Sequence, residues 1–215
     1  MKKIFILFTI LLIVVLTGCS VQTPPPNNQF LKNNDTLTFN GTLSINNINI
    51  TEDLYEDLRF PVNQIPIRGL SNVPEETKFG DAFSPSSNEE LFLIAQMPHS
   101  YKEGTDIFPH WHWIVTNSDS GDVVWCIEYT WANINDEFDF VSGDYCVVDS
   151  TTNASNIHLM TPHLVLNGTN KTASSIINAR LYRNATDPRD TYTSDAYLLE
   201  FDIHYKIGRL GEAFT

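Results

Sequence analysis

From Leu91 onward, apolar and polar residues alternate with a period of two, the pattern of half-buried strands. The alternation predicts strands at Leu91–Met97, Phe108–Thr116, Val123–Trp131, Tyr145–Val148, Ile157–Met160, Ser175–Tyr182 and Leu198–Ile207. Two more are expected at Thr36–Phe39 and Thr42–Ile50. Asn, Asp, Gly and Ser fill the intervals, as turns require. Helical signal is confined to Thr51–Leu58, where TEDLYEDL reads as two turns capped by Thr51 and stopped by Pro61. Residues 59–88 carry Pro61, Pro66, Pro74 and Pro85 and read as an irregular surface segment. The expected fold is all-β, an antiparallel sandwich of jelly-roll type with little helix.

The middle of the chain allows a sharper expectation. The turn-rich stretch Thr116–Asp122 separates two strong strands, so Phe108–Thr116 and Val123–Trp131 are expected to pair as a hairpin. Alternation then sorts their side chains into two faces. Trp111, Trp113, Val115, Val123, Trp125, Ile127 and Tyr129 form an aromatic slab for the core, because so large an apolar patch is rarely left wet. His110, His112, Ile114, Val124, Cys126 and Glu128 take the other face, with His110 opposite Glu128. In the last strand Leu199, Phe201, Ile203, Tyr205 and Ile207 alternate with Glu200, Asp202, His204 and Lys206, one face buried and one wet.

The amino terminus follows another logic. Lys2 and Lys3 precede an apolar run thirteen residues long, Ile4–Leu16, too short to span a membrane comfortably and right for an export signal. Leu16-Thr17-Gly18-Cys19 resembles the bacterial lipoprotein signal box. The resemblance implies that residues 1–18 are removed as a signal peptide and that the Cys19 thiol takes a diacylglycerol. Residues 19–34, with Pro24, Pro25 and Pro26, then read as a lipidated tether. Residues 35–215 form the single folded domain. The expected location is the cell envelope, held to the membrane by lipid.

Composition narrows the partners. Thirteen Lys+Arg against 26 Asp+Glu give a formal charge of −13, which excludes the basic footprint of a nucleic-acid binder. No nucleotide-binding glycine motif occurs. With Cys19 committed to lipid, Cys126 and Cys146 remain, either as a disulfide or as two buried thiols.

The sharpest chemical candidate is Pro109-His110-Trp111-His112-Trp113. Two imidazoles at i and i+2 of a strand point to one side and can chelate a divalent transition metal. Glu128 is the expected third ligand, with His99, His204 or Asp202 a fourth. The bland reading makes His110 and His112 hydrogen-bonded rim residues beside a tryptophan core. Gly104 to His112 resembles the opening of the first cupin motif, and His163 with Asn167 the end of the second, but the Glu of the first is Thr116 or Asn117 here. That partial likeness implies a metal enzyme. The run Asp136, Glu137 and Asp139 reads as a solvated loop, and no complete nucleophile motif is present.

The segments DLRFPVNQI, ELFLIAQMPHSYKEGTDIFPHWHW, VVWCIEYTWANI and ARLYRNATDPRDTYTSDAYLLEFDIHYKIGRLG cover residues 57–211 in order. Together they resemble a family of uncharacterised proteins of tailed phages and prophages. The resemblance implies a virion- or tail-associated β domain and no enzyme. The expected function is therefore a displayed, lipid-anchored β-sandwich with a binding or structural role, in no need of a cofactor. Its partner would be a protein or carbohydrate surface, oligomerisation being open. A metal-binding cupin-like enzyme and a phage virion component are the alternatives.

Overall fold

The computed structural model describes residues 53–65, 72–138 and 145–208. The chain divides into two units, Met1–Asn49 and Ile50–Thr215, and the described residues lie in the second. Cys19, the tether and the strands expected at 36–39 and 42–50 lie outside the described residues. Among the described residues, no helix is long and apolar enough to cross a membrane.

Ten strands form two antiparallel sheets. The first sheet holds β1 (Leu54–Pro61), β2 (Glu75–Thr77), β3 (Gly80–Phe83), β5 (Ile107–Ile114), β8 (Leu159–Met160) and β10 (Ala196–Ile207). The second runs in the order β4 (Glu90–Gln96), β9 (Ile176–Arg183), β6 (Asp122–Ala132) and β7 (Tyr145–Ser150). The long strand β10 organises the first sheet. One edge pairs with β5, and the other is shared end to end by β3, against Ala196–Leu198, and β1, against Glu200–Ile207. The fold is the expected all-β sandwich.

The core lies between the two sheets, and the expected parity holds there. Trp111 and Trp113 of β5 and Phe201 and Ile203 of β10 are fully buried, as are Trp125 and Ile127 of β6 and Leu181 of β9. Trp125 packs edge-on against Phe83 at 5.2 Å and Trp113 at 6.0 Å between ring centres. At one end of this core sits a cation. Arg183 is fully buried, bonded through Nε and Nη2 to both oxygens of Asp190 and through Nη1 to the carbonyls of Phe83 and Ser194. It also donates to the Tyr192 carbonyl, so a strand of the second sheet is tied to β3 and to the loop leading into β10.

Several expectations are corrected. The hairpin is absent: β5 pairs with β10 and β8, whereas β6 pairs with β9 and β7. The linker after β5 instead carries the chain from one sheet to the other. Both strands have an apolar, tryptophan-bearing face, and opposing those faces across the sandwich buries them against each other. Among the described residues, the helix expected over Thr51–Leu58 does not form. Residues from Leu54 on form β1, whose Leu58 and Phe60 pack on the core, because pairing along β10 outweighs a short local helical preference. The described residues of 59–88 are less irregular than expected, containing the end of β1, a 3₁₀ turn at Val62–Gln64, β2 and β3. Gly80 begins β3 at φ +130°, and a Cβ there would lie 2.1 Å from the Leu198 carbonyl oxygen. In β10 a register shift between Leu198 and Glu200 turns Leu198 inward in place of Leu199.

Cys126 and Cys146 are direct partners on β6 and β7 and are joined as a disulfide, Cα atoms 4.1 Å apart. With Val124, Tyr182 and Val148 the bridge forms a small apolar cluster separate from the main core, tying the edge strand β7 to its neighbour.

Candidate functional site

A strand that sends its indoles inward must send the residues between them outward. On β5 this places His110 and His112 on the outer face of the first sheet. On β10, inward Phe201, Ile203 and Tyr205 place Asp202 and His204 on that same face. Antiparallel register then aligns the two rows: His110 lies opposite Asp202, and His112 lies between Glu200 on β10 and Met160 on β8. Asp57 of β1 lies opposite His204.

These side chains converge. Asp202 Oδ2 is 3.3 Å from His112 Nε2 and 3.8 Å from His110 Nε2, and one ligand atom from each of the three residues lies within 4.8 Å of the others. His110 and Asp202 are only 3% and 4% exposed, although they face away from the main core. Other imidazoles surround them. The ring centre of His163 is 4.7 Å from that of His110 and 5.6 Å from that of His204, and His158 Nε2 is 2.8 Å from His112 Nδ1. Five of the chain's six histidines therefore gather on one face of one sheet.

The loop after β8 supplies part of this crowd. It runs beside β5, with backbone bonds from Thr161 to Trp111, Leu164 to Pro109 and Leu166 to Ile107. His204 is held on the far side by contact of its Nδ1 with the Asp57 carboxylate and by stacking on Tyr55 at 5.1 Å.

The electrostatics favour a cation. Burial pushes the His110 pKa below the ordinary imidazole value, partly opposed by its bond to a backbone carbonyl. Its Nδ1 lies 3.4 Å from the Phe108 carbonyl oxygen, and its Nε2 faces the Asp202 carboxylate. Asp202 Oδ1 and Glu200 Oε1 are also buried without a hydrogen-bond partner among the described residues. A buried carboxylate oxygen with no donor is costly, and an ion offsets that cost. His112 has its second nitrogen braced by His158, the outer support that metal-bound imidazoles usually have.

Of the expected ligands, His110, His112 and Asp202 come together, and His204 sits at the edge of the cluster. Glu128 does not take part. It lies on the second sheet, where it is bonded to Arg180 at 3.1 Å, because β6 is not the partner of β5. His99 is also elsewhere, bonded to Ser174. Asp136 and Glu137 line a depression of about 490 Å³ with Tyr129, Trp131, Asn135, Asn167 and Lys171, and Asp139 lies outside the described residues. The sequence gives no reason to pick out His158 as a ligand, and marks His163 only through its partial cupin likeness. Their spacing, five positions apart around Leu159-Met160-Thr161-Pro162, carries no signal until the pairing of β8 with β5 is known.

Comparison with protein-family models and with curated proteins finds no match. Among solved structures the chain is similar to CBM35, a carbohydrate-binding module from Cellvibrio japonicus Abf62, with 9% identity, 74% of this chain and 100% of that chain covered, and a TM-score of 0.40. It is also similar to the CBM36-1 domain of a multidomain xylanase from the hindgut metagenome of Trinervitermes trinervoides, with 13% identity, 73% and 100% coverage, and a TM-score of 0.37. A third likeness is to dimeric latent PorU from Porphyromonas gingivalis, with 7% identity, 72% and 13% coverage, and a TM-score of 0.35. Scores of this size mark loose likenesses, and the chemistry of the histidine face rests on its own residues.

Proposed function

We propose that this chain is an exported, lipid-anchored β-sandwich that binds a divalent transition metal through His110, His112 and Asp202. The observation that carries the reading is the convergence of two imidazole nitrogens on one buried carboxylate oxygen. With metal–ligand bonds of about 2.0–2.2 Å, tetrahedral neighbours lie about 3.3 Å apart, so the three atoms need little movement to share an ion. Two nitrogens and a carboxylate leave coordination positions open, which suits binding of a further ligand at the metal. The export reading rests on Lys2, Lys3, the apolar run and Cys19, and the phage-family likeness suggests a domain acquired from a prophage.

Full-length protein equilibrated with Zn(II) or Co(II) and then dialysed is expected to retain one equivalent by elemental analysis. Replacing both imidazoles, His110→Ala with His112→Ala, is expected to weaken retention by roughly a hundredfold or more, since two of three ligands are gone. Wild-type protein that keeps no metal, or a double variant that keeps as much, overturns the assignment. Anchoring is checked separately by mass spectrometry of the mature amino terminus. A diacylglycerol on Cys19 is the expected result, and an unmodified thiol contradicts it.

A further inference from the structure

We infer that the ion this site selects is copper, with the thioether of Met160 as a soft donor beside the two imidazoles. The inference rests on the metal-binding reading above and names the metal. Strand β8 is only two residues long: Leu159 turns inward, 8% exposed, and Met160 turns outward, 51% exposed. Met160 is the direct cross-strand partner of His112, and directly opposed residues share a face with Cβ atoms about 4.5–5.5 Å apart. A methionine side chain has three rotatable bonds, long enough to bring its sulfur to the His112 ring across that distance.

Packing does not account for this residue. A half-exposed methionine on a two-residue edge strand buries little, and it stands outside the main core cluster. What it adds to this face is a polarisable sulfur within reach of nitrogen donors. Imidazole and carboxylate alone favour Cu(II) over the other divalent first-row ions, and a thioether extends the preference to Cu(I), which binds carboxylate poorly. Zn(II) gains little from a thioether. The face thus combines a hard carboxylate, two imidazoles and a soft sulfur, a donor set that retains copper in either oxidation state.

The test is a competition titration of the full-length protein in detergent. Cu(I) and Zn(II) are each set against a chromophoric chelator, for wild type and for the Met160→Leu variant, whose similar volume and exposed position leave the fold intact. Leucine is expected to weaken Cu(I) by about tenfold or more while Zn(II) moves less than about twofold. Equal Cu(I) affinity in the two proteins, or equal losses for both ions, overturns the copper assignment and leaves the histidine–aspartate site standing. Wild-type protein that binds neither ion removes the site itself and the copper assignment with it.

Discussion

Arg183→Ala is expected to lower the unfolding free energy by roughly 3–5 kcal/mol, measured by guanidinium unfolding with the disulfide intact. The guanidinium has no exposed surface, and the Asp190 side chain that it clamps is 2% exposed. Alanine would leave that carboxylate buried without its counter-ion and would strip the carbonyls of Phe83, Ser194 and Tyr192 of a donor. Asp190 would keep only its bond from the Val124 amide. Each such group keeps its full desolvation cost once the partner is gone. Arg183→Lys is expected to recover only a minor part of the loss, because a single ammonium cannot span both carboxylate oxygens and three carbonyls. A loss below about 1 kcal/mol for the alanine variant would show that water replaces the guanidinium and that the clamp is not structural.

Trp125→Ala should be comparably damaging, at roughly 3–5 kcal/mol, because it removes the ring between Phe83 and Trp113 and leaves a cavity between the sheets. The informative companion is phenylalanine. The Trp125 Nε1–H is buried with no acceptor among the described residues, so Trp125→Phe deletes an unsatisfied donor along with some packing. Trp113 differs, since its Nε1–H donates to Asp149 Oδ2 at 2.8 Å. Trp113→Phe is therefore expected to cost more than Trp125→Phe, by about 1–2 kcal/mol, the size of a charge-assisted hydrogen bond. The opposite order in paired unfolding curves would mean that packing alone ranks these two sites.

Why those rings could be foreseen, and the strand pairing could not, follows from what alternation encodes. A period of two states which side chains share a face, and Trp111, Trp113, Trp125 and Phe201 obey it. It does not state which strand lies next door. The segment between β5 and β6 has the composition of a tight turn whether it closes a hairpin or crosses between sheets. The chain crosses there, and Glu128 moves out of reach of His110 as a result. At β1 the local pattern fitted a short helix, but the free edge of β10 offered a full ladder from Leu54 to Pro61. Leu198 replaced Leu199 in the core for a similar reason, since a bulge shifts parity without a mark in composition. For the site, His110, His112, His204 and Asp202 were legible because each sits between inward-facing residues. His158 and His163 depend on a two-residue pairing at Leu159–Met160 that no local pattern announces.

The ladder between β1 and β10 has a mechanical side. If the domain is anchored through its amino-terminal end, as proposed, β1 is the first described strand to carry tension, and its partner is β10, which carries Asp202 and His204. Interstrand hydrogen bonds stand perpendicular to the strands, so a pull along β1 strains the whole row together instead of opening it one bond at a time. Under the proposed amino-terminal anchoring, a load on the histidine face would reach β1 through that row of bonds.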